Sequence, residues 1–392
     1  MLRDVFLAGG VRTPIGSFCG VLADVPAARL GAIAIQASLE RSHVPAARVD
    51  EVVMGNVVGA GLGQNVARQC AIGAGLPLSV GATTVNRVCG SGLKAVMMAA
   101  QAIQLGDASV VVAGGTESMS RAPYLLERAR MGYRMGNGEL IDSMIRDGLW
   151  DVYRQCHMGV CGDATASALN ISRQEQDEYA IRSFQRAIEA AEKGWSGAEI
   201  VPVEIADKKA NRVICSDEGP GRFNEEKLRK LIPAFGPDGT VTAGNASSIN
   251  DGAAAITALS SDRCRELGLR PEARILGFAT FSKEPEWFTT APIDVNRKLL
   301  AKLHLTPEQI DVWEVNEAFA VVVIALMKDL GLKPEKVNPF GGAIAIGHPI
   351  GASGCRTLVT MLNTLRVRRQ RLGMVSLCVG GGEAVAMAVE LL

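Results

Sequence analysis

Leu39–Asp50, LERSHVPAARVD, and Leu300–Asp311, LAKLHLTPEQID, align without a gap. His43 falls on His304, Val49 on Ile310 and Asp50 on Asp311, and each copy then runs into an apolar strand that ends at Asn56 or Asn316. Further along, DASVVVAGG (Asp107–Gly115) is matched by LGMVSLCVGG (Leu372–Gly381), again a strand closing on paired glycines. Two matched pairs in the same order, at nearly the same offset, predict a chain built from two duplicated halves. Related halves packed together form a cleft where strand ends from both can meet.

Outside these segments, short apolar runs such as Val5–Ala8, Val52–Met54 and Val110–Ala113 alternate with longer stretches rich in Ala, Leu, Glu, Lys and Arg. That alternation reads as buried strands with helices between them, an α/β architecture. From about Arg121 to Gly239 the composition turns charged and irregular, with Arg128, Arg130 and Arg134 in a Gly-rich stretch. A helix over Ser172–Lys193 follows, opened by the capping-box pattern Ser172-Arg-Gln-Glu175. The expected organisation is an N-terminal half in 1–120 and 240–268, an inserted loop domain in 121–239, and a C-terminal half in 269–392.

Composition bounds the function. The 392 residues hold 41 Lys plus Arg against 41 Asp plus Glu, a formal net charge of zero. This excludes both a nucleic-acid binder working through bulk positive charge and a disordered polymer. Glycine, at 43 residues, is about 11% of the chain against a usual ~7%. Close backbone approach is therefore expected in the interior. Nine cysteines without a CxxC pair or a framework spacing indicate a reducing compartment, with the cytoplasm as the expected location. The N-terminal MLRDVFLAGG lacks the pattern of a signal peptide, and no apolar run approaches the length of a membrane span.

Four places carry candidate chemistry. In VNRVCGSGLKAVMMAAQAIQLG, an extended segment leads through Cys89 into a helical run ending at Leu105. The thiol then sits at a helix N-terminus, where free N–H groups and the helix dipole favour thiolate, and the flanking glycines expose backbone donors of the kind an oxyanion site needs. NPFGGAIAIGHPIGASG (Asn338–Gly354) surrounds His348 with five glycines, and Pro349 restricts the histidine to extended geometry. Gly351 and Gly354 suit a tight loop before a helix over Cys355–Leu365. Cys378 ends the strand VSLCVGGGEAVAM, facing Gly380–Gly382. Asn316 closes VWEVNEAFA, where its amide either orients a water or carbonyl or caps the next helix. Cys156, His157 and Cys161 match no structural zinc spacing, so no metal is expected. Phosphate-loop, nucleophile-elbow and dinucleotide motifs are missing from the sequence.

Taken together, VNRVCGSGLKAV, VNEAFA, NPFGGAIAIGHPIGASG and SLCVGGGEAVAM resemble the signature blocks of the thiolase family, in the family's order. The resemblance runs from Val5 to the C-terminus, and TVTAGNASSINDGAAA (Thr240–Ala255) and HMG (His157–Gly159) agree with the family's acetyl-CoA acetyltransferases and their β-ketoacyl-CoA thiolase relatives alike. It implies a five-layered α/β/α/β/α core with a loop domain inserted in the first half. It also implies roles: Cys89 as the nucleophile that carries the acyl group, His348 as the group that activates it, and Cys378 as the acid/base at the α-carbon. Asn316 would hold a water that with His348 binds one thioester oxygen, and the N–H groups of Cys89 and Gly380 would form a second oxyanion site.

By the same resemblance, His157, Met158, Ala243, Ser247, Ala318 and Phe319 line the pantetheine channel, and either Arg222 or Lys227 meets the nucleotide phosphates. The implied reaction is reversible condensation of two acetyl-CoA to acetoacetyl-CoA and CoA, by ping-pong kinetics and without a cofactor. The alternative is a 3-ketoacyl-CoA thiolase of broader or longer chain specificity. A homo-oligomer, dimer or tetramer, is implied, with Arg121–Gly138 corresponding to the tetramerising segment. The sequence departs from the family pattern at Glu383-Ala384, where relatives carry a neutral residue and then glycine, and a carboxylate there would stand beside Cys378 or point to solvent.

Overall fold

The computed structural model describes residues 3–206 and 211–392; Met1, with which the expected first domain begins, lies outside them. Nine strands carry the architecture: β1 (Val5–Arg12), β2 (Glu51–Gly55), β3 (Gly81–Val85), β4 (Val110–Ser118), β5 (Asn250–Ser260), β6 (Ala273–Ser282), β7 (Val312–Val315), β8 (Leu372–Val379) and β9 (Glu383–Leu391). The principal helices are α1 (Ala27–Ser42), α2 (Val66–Gly73), α3 (Ser91–Leu105), α4 (Met158–Ala168), α5 (Arg173–Glu192), α6 (Ala291–Leu303), α7 (Ala320–Leu330) and α8 (Ile350–Arg368). The strands run in the order β7-β8-β9-β6-β1-β5-β4-β2-β3.

The repeat is visible atom by atom. In one half β2–β4 is parallel while β4–β5 and β5–β1 are antiparallel; in the other β7–β8 is parallel while β8–β9 and β9–β6 are antiparallel. His43 and His304, the matched histidines, each end a helix in the left-handed conformation, with φ 56° and 55°. Each donates its backbone N–H to the closing turn, so both are C-caps. Asp50 accepts the N–H groups of Ser109 and Val110, and Asp311 accepts those of Arg371 and Leu372. The conserved-looking pattern of the two segments is thus one hydrogen-bonding device used twice. The halves meet where β1 pairs with β6, through Phe6–Arg274 and Leu7–Ala273, so their two sheets are continuous.

Packing gives the five layers. Helices α1 and α2 cover the outer face of β1–β5, α6 and α7 lie on the outer side of β6–β9, and α3 and α8 fill the space between. Because both faces of each half-sheet are covered, all residues of β4 and β5 are buried, and their small apolar side chains follow from that. Helix α8 begins at Ile350, five residues before the expected start at Cys355. Gly354 sits inside its first turns because α3 passes backbone to backbone, and Gly351 because a Cβ there would lie 2.8 Å from the Asn56 Cα. A Cβ on Gly354 would lie 2.2 Å from the Leu93 nitrogen, and one on Gly92 2.7 Å from the Cys355 nitrogen.

The β8–β9 connection is the three glycines Gly380–Gly382, whereas the equivalent β4–β5 connection spans 119–249 and contains α4 and α5. Helix α5 has Ser172 as its N-cap with the full capping box to Glu175. This long excursion is anchored to the core by the buried Arg12 guanidinium, which donates to Asp217 at 2.7 Å and to Glu199 at 2.5 Å.

Candidate active site

Cys89 lies in the turn between β3 and α3, whose N-cap is Gly90. The turn is tightly wound. Val88, directly before the thiol, holds a left-handed φ of 44°, a strained conformation for a β-branched residue. It is held by its neighbours: Asn86 Oδ1 accepts the Val88 N–H at 2.9 Å, and the Ser91 hydroxyl accepts the Arg87 N–H at 2.8 Å while donating to the Val88 carbonyl at 2.6 Å. The backbone N–H groups of Gly380 and of Cys89 itself both reach the sulfur. These are the two donors assigned by resemblance to an oxyanion site, one from each half of the chain.

The helix terminus does not make Cys89 a thiolate. Burial pushes the thiol up to about 11, and the two N–H donors pull it down only in part. The expectation of a lowered pKa is therefore corrected: burial raises the thiol more than the two N–H donors lower it. Cys378, at the end of β8 and fully buried, is likewise raised well above the usual thiol range, by burial first and by the neighbouring Cys89 second. The two thiols are close enough to influence each other.

His348 hangs from the loop before α8. Its backbone N–H donates to Asn250 Oδ1 at 2.9 Å, and its Nδ1 meets the Ser353 hydroxyl. That hydroxyl donates its one proton to the Pro349 carbonyl at 2.8 Å. It can only accept from His348, so Nδ1 carries the proton and Nε2 keeps a free lone pair. Asn316 agrees. Its Oδ1 accepts from Arg356 at 3.2 Å, which turns its Nδ2 toward His348 Nε2 at 3.4 Å. Burial, reinforced by the Arg356 cation, pushes the imidazole pKa down to about 3. His348 is thus a neutral base over the physiological range. Asn316 is fully buried and is not a cap, since α7 starts after Phe319.

Cys89 and His348 both open into an apolar cleft of about 430 Å³. His157, Met158, Ala243, Ser247, Ala318 and Phe319 line it, as the resemblance implied. Arg222 is not among the lining residues; it is exposed and paired with Glu218 four residues earlier. Lys227 is also away from the lining, in the short helix Glu225–Arg229. Sequence reasoning missed Met144, Ile145, Leu149, Phe235, Ile249, Phe288 and Ile350, which complete the apolar wall. Most are isolated hydrophobic residues in irregular segments, without a period to mark them. Cys89, with its two N–H donors, and the neutral His348 thus share one apolar cleft, with Cys378 as a second thiol close to Cys89.

Glu383 does not shift Cys378. Its carboxylate pairs with Arg87 at 3.0 Å and accepts from the Ser282 hydroxyl at 3.0 Å.

Comparison with known proteins agrees with this arrangement. The thiolase N-terminal domain model matches residues 5–262 and the thiolase C-terminal domain model residues 269–391. An acetyl-CoA acetyltransferase of Arabidopsis thaliana is 52% identical over 393 aligned positions, covering 100% of this chain and 98% of that protein. One from Cupriavidus necator is 48% identical, covering 99% and 100%. Among solved structures, the Bacillus anthracis acetyl-CoA acetyltransferase superposes with a TM-score of 0.97 at 40% identity, covering 100% of this chain and 99% of that one. An Ascaris suum thiolase in complex with coenzyme A gives 0.94 at 42% identity, covering 100% of both. With its halves, its cleft and its paired thiols all in place, the chain belongs to the thiolase family.

Proposed function

We propose that this protein is an acetyl-CoA C-acetyltransferase, which condenses two acetyl-CoA to acetoacetyl-CoA and CoA and runs the reverse thiolysis. The observation that carries the reading is the meeting of a cysteine thiol, a lone-pair Nε2 and two aimed backbone N–H groups beside a second thiol, at an apolar cleft. Cys89 attacks the thioester carbonyl as His348 Nε2 takes its proton, and the N–H groups of Cys89 and Gly380 stabilise the developing oxyanion. CoA leaves with that proton, and the acetyl group stays on Cys89. Cys378, its own proton given up to solvent, then removes an α-proton from the second acetyl-CoA as the thiolate. The enolate attacks the acetyl carbon, and Cys89 departs as a thiolate that takes a proton back from solvent. His348 and Asn316, with a water between them, hold the second thioester oxygen. A sulfur nucleophile suits the exchange because its leaving ability matches that of CoA.

The pantetheine arm runs along His157, Met158, Ala243, Ser247, Ala318 and Phe319. His157 is fixed for this by an edge contact with Trp150, ring centres 5.1 Å apart. The chain divides into the halves 1–120 with 240–268 and 269–392, around the inserted 121–239. It works as a homo-oligomer. The edge strand β3 pairs only with β2, and Tyr124, Met131, Met135 and Leu140 of the insertion are exposed. Two thiols that must stay free assign it to a reducing compartment, the cytoplasm; among the described residues, no helix is long and apolar enough to cross a membrane.

Steady-state thiolysis of acetoacetyl-CoA against 3-ketoacyl-CoA substrates of six to sixteen carbons tests the reading. Acetoacetyl-CoA is expected to have the highest kcat/KM, by about tenfold or more over the six-carbon substrate. Equal or greater values for longer chains would make the enzyme a broad-range 3-ketoacyl-CoA thiolase instead. Ser353→Ala is expected to lower kcat about 10- to 100-fold, because Nδ1–H loses its acceptor and the imidazole its fixed tautomer. Single-turnover acetylation of Cys89 measures it. An unchanged rate would show that another group sets the tautomer.

A further inference from the structure

The segment bearing Cys89 comes from one half of the chain and the turn bearing Cys378 from the other. They touch at two places. On one side Gly90 packs on β8 so closely that a Cβ there would lie 2.9 Å from Val379 Cγ2, and the Gly380 N–H reaches the Cys89 sulfur. On the other side the Arg87 guanidinium meets the Glu383 carboxylate at 3.0 Å. Arg87 stands two residues before the nucleophile, next to the strained Val88. Glu383 faces Val379 across the β8–β9 hairpin, one step from the Cys378–Ala384 pair. Both side chains are mostly covered, 22% and 33% exposed, and Ser282 holds the second carboxylate oxygen. The raised state of each thiol comes from burial and, for Cys378, also from Cys89, against backbone N–H groups that pull each down in part, so the pair acts through geometry and not through charge at the sulfurs.

We infer that Arg87 and Glu383 are positioning residues whose ion pair ties the nucleophile turn to the Cys378 hairpin and sets the register between the two thiols. The inference rests on the two-thiol reading proposed above. Transfer of an acetyl group onto Cys89 needs one sulfur in place, whereas forming or cleaving the carbon–carbon bond needs both. Loosening the tie therefore slows the second process selectively. A partly covered ion pair of this kind corresponds to about a fivefold change in rate.

The test compares Glu383→Gln, Arg87→Gln and the charge-swapped double variant Arg87→Glu/Glu383→Arg. For each, exchange of labelled CoA into acetyl-CoA reads the first half-reaction, and acetoacetyl-CoA thiolysis reads the two-sulfur reaction. The single variants are expected to keep exchange within about twofold and lose about fivefold in thiolysis kcat, with the swapped variant recovering most of it. Equal losses in both assays, no loss in either, or no recovery on swapping would each overturn the inference. Failure of the unaltered enzyme to exchange CoA at all would instead overturn the acetyl-Cys89 intermediate on which the proposed function rests, which keeps the two failures apart.

Discussion

Replacing Cys89 by serine is expected to abolish acetyl transfer, lowering kcat on the order of 10⁴–10⁶, while CoA binding stays within about twofold. The side chains differ by one atom, and the rest of the cleft wall proposed to hold the pantetheine arm is unchanged by the substitution. The chemistry is not. A hydroxyl is a poorer nucleophile under a neutral imidazole, and an acetyl ester formed on it would lie too low to return the group to CoA. Calorimetry with CoA and a thiolysis assay on the same preparation separate the effects; undiminished thiolysis by Cys89→Ser would refute the assignment. The same site predicts an unusual pH response. With the thiol raised to about 11 and the imidazole lowered to about 3, the free enzyme holds thiol and neutral imidazole at pH 7, not a thiolate–imidazolium pair. A group whose pKa is raised stays protonated until the pH climbs toward that value. Alkylation of Cys89 by iodoacetamide should therefore keep rising through pH 8–10. A plateau reached near pH 7 would show an ion pair already formed.

Much of this was legible in the chain, for reasons that differ by residue. The duplication could be read because Asp50 and Asp311, and His43 and His304, do identical backbone work at strand and helix ends, which leaves a matching pattern in sequence. Cys89, His348 and Cys378 stand out in the sequence because glycines flank each, whereas Asn316, in VWEVNEAFA, has no such marker. What was misread depended on tertiary burial. The helix start at α3 is a local property, but the burial that raises the thiol comes from the C-terminal half folding over Cys89. Gly351 and Gly354 looked like a loop because what they pack against, Asn56 and Glu117 for Gly351 and α3 for Gly354, lies far away in sequence. The apolar wall of the cleft has no sequence period and emerges only when the insertion lies over the core.

The second large effect separates the two sulfurs. Cys378→Ala is expected to leave acetylation of Cys89 within a fewfold of the unaltered enzyme and to reduce condensation about 10²–10⁴-fold, the usual worth of a positioned base. Cys378 is fully buried, and its thiol is raised by burial and by Cys89. A raised pKa makes its thiolate rare in the resting enzyme but strongly basic once formed, as removal of a weakly acidic α-proton demands. Mass spectrometry of acetyl-Cys89 after one turnover, set beside acetoacetyl-CoA formation, measures both halves on one variant. Equal loss of both would mean that Cys378 supports the nucleophile itself, and the division of labour between the thiols would fall.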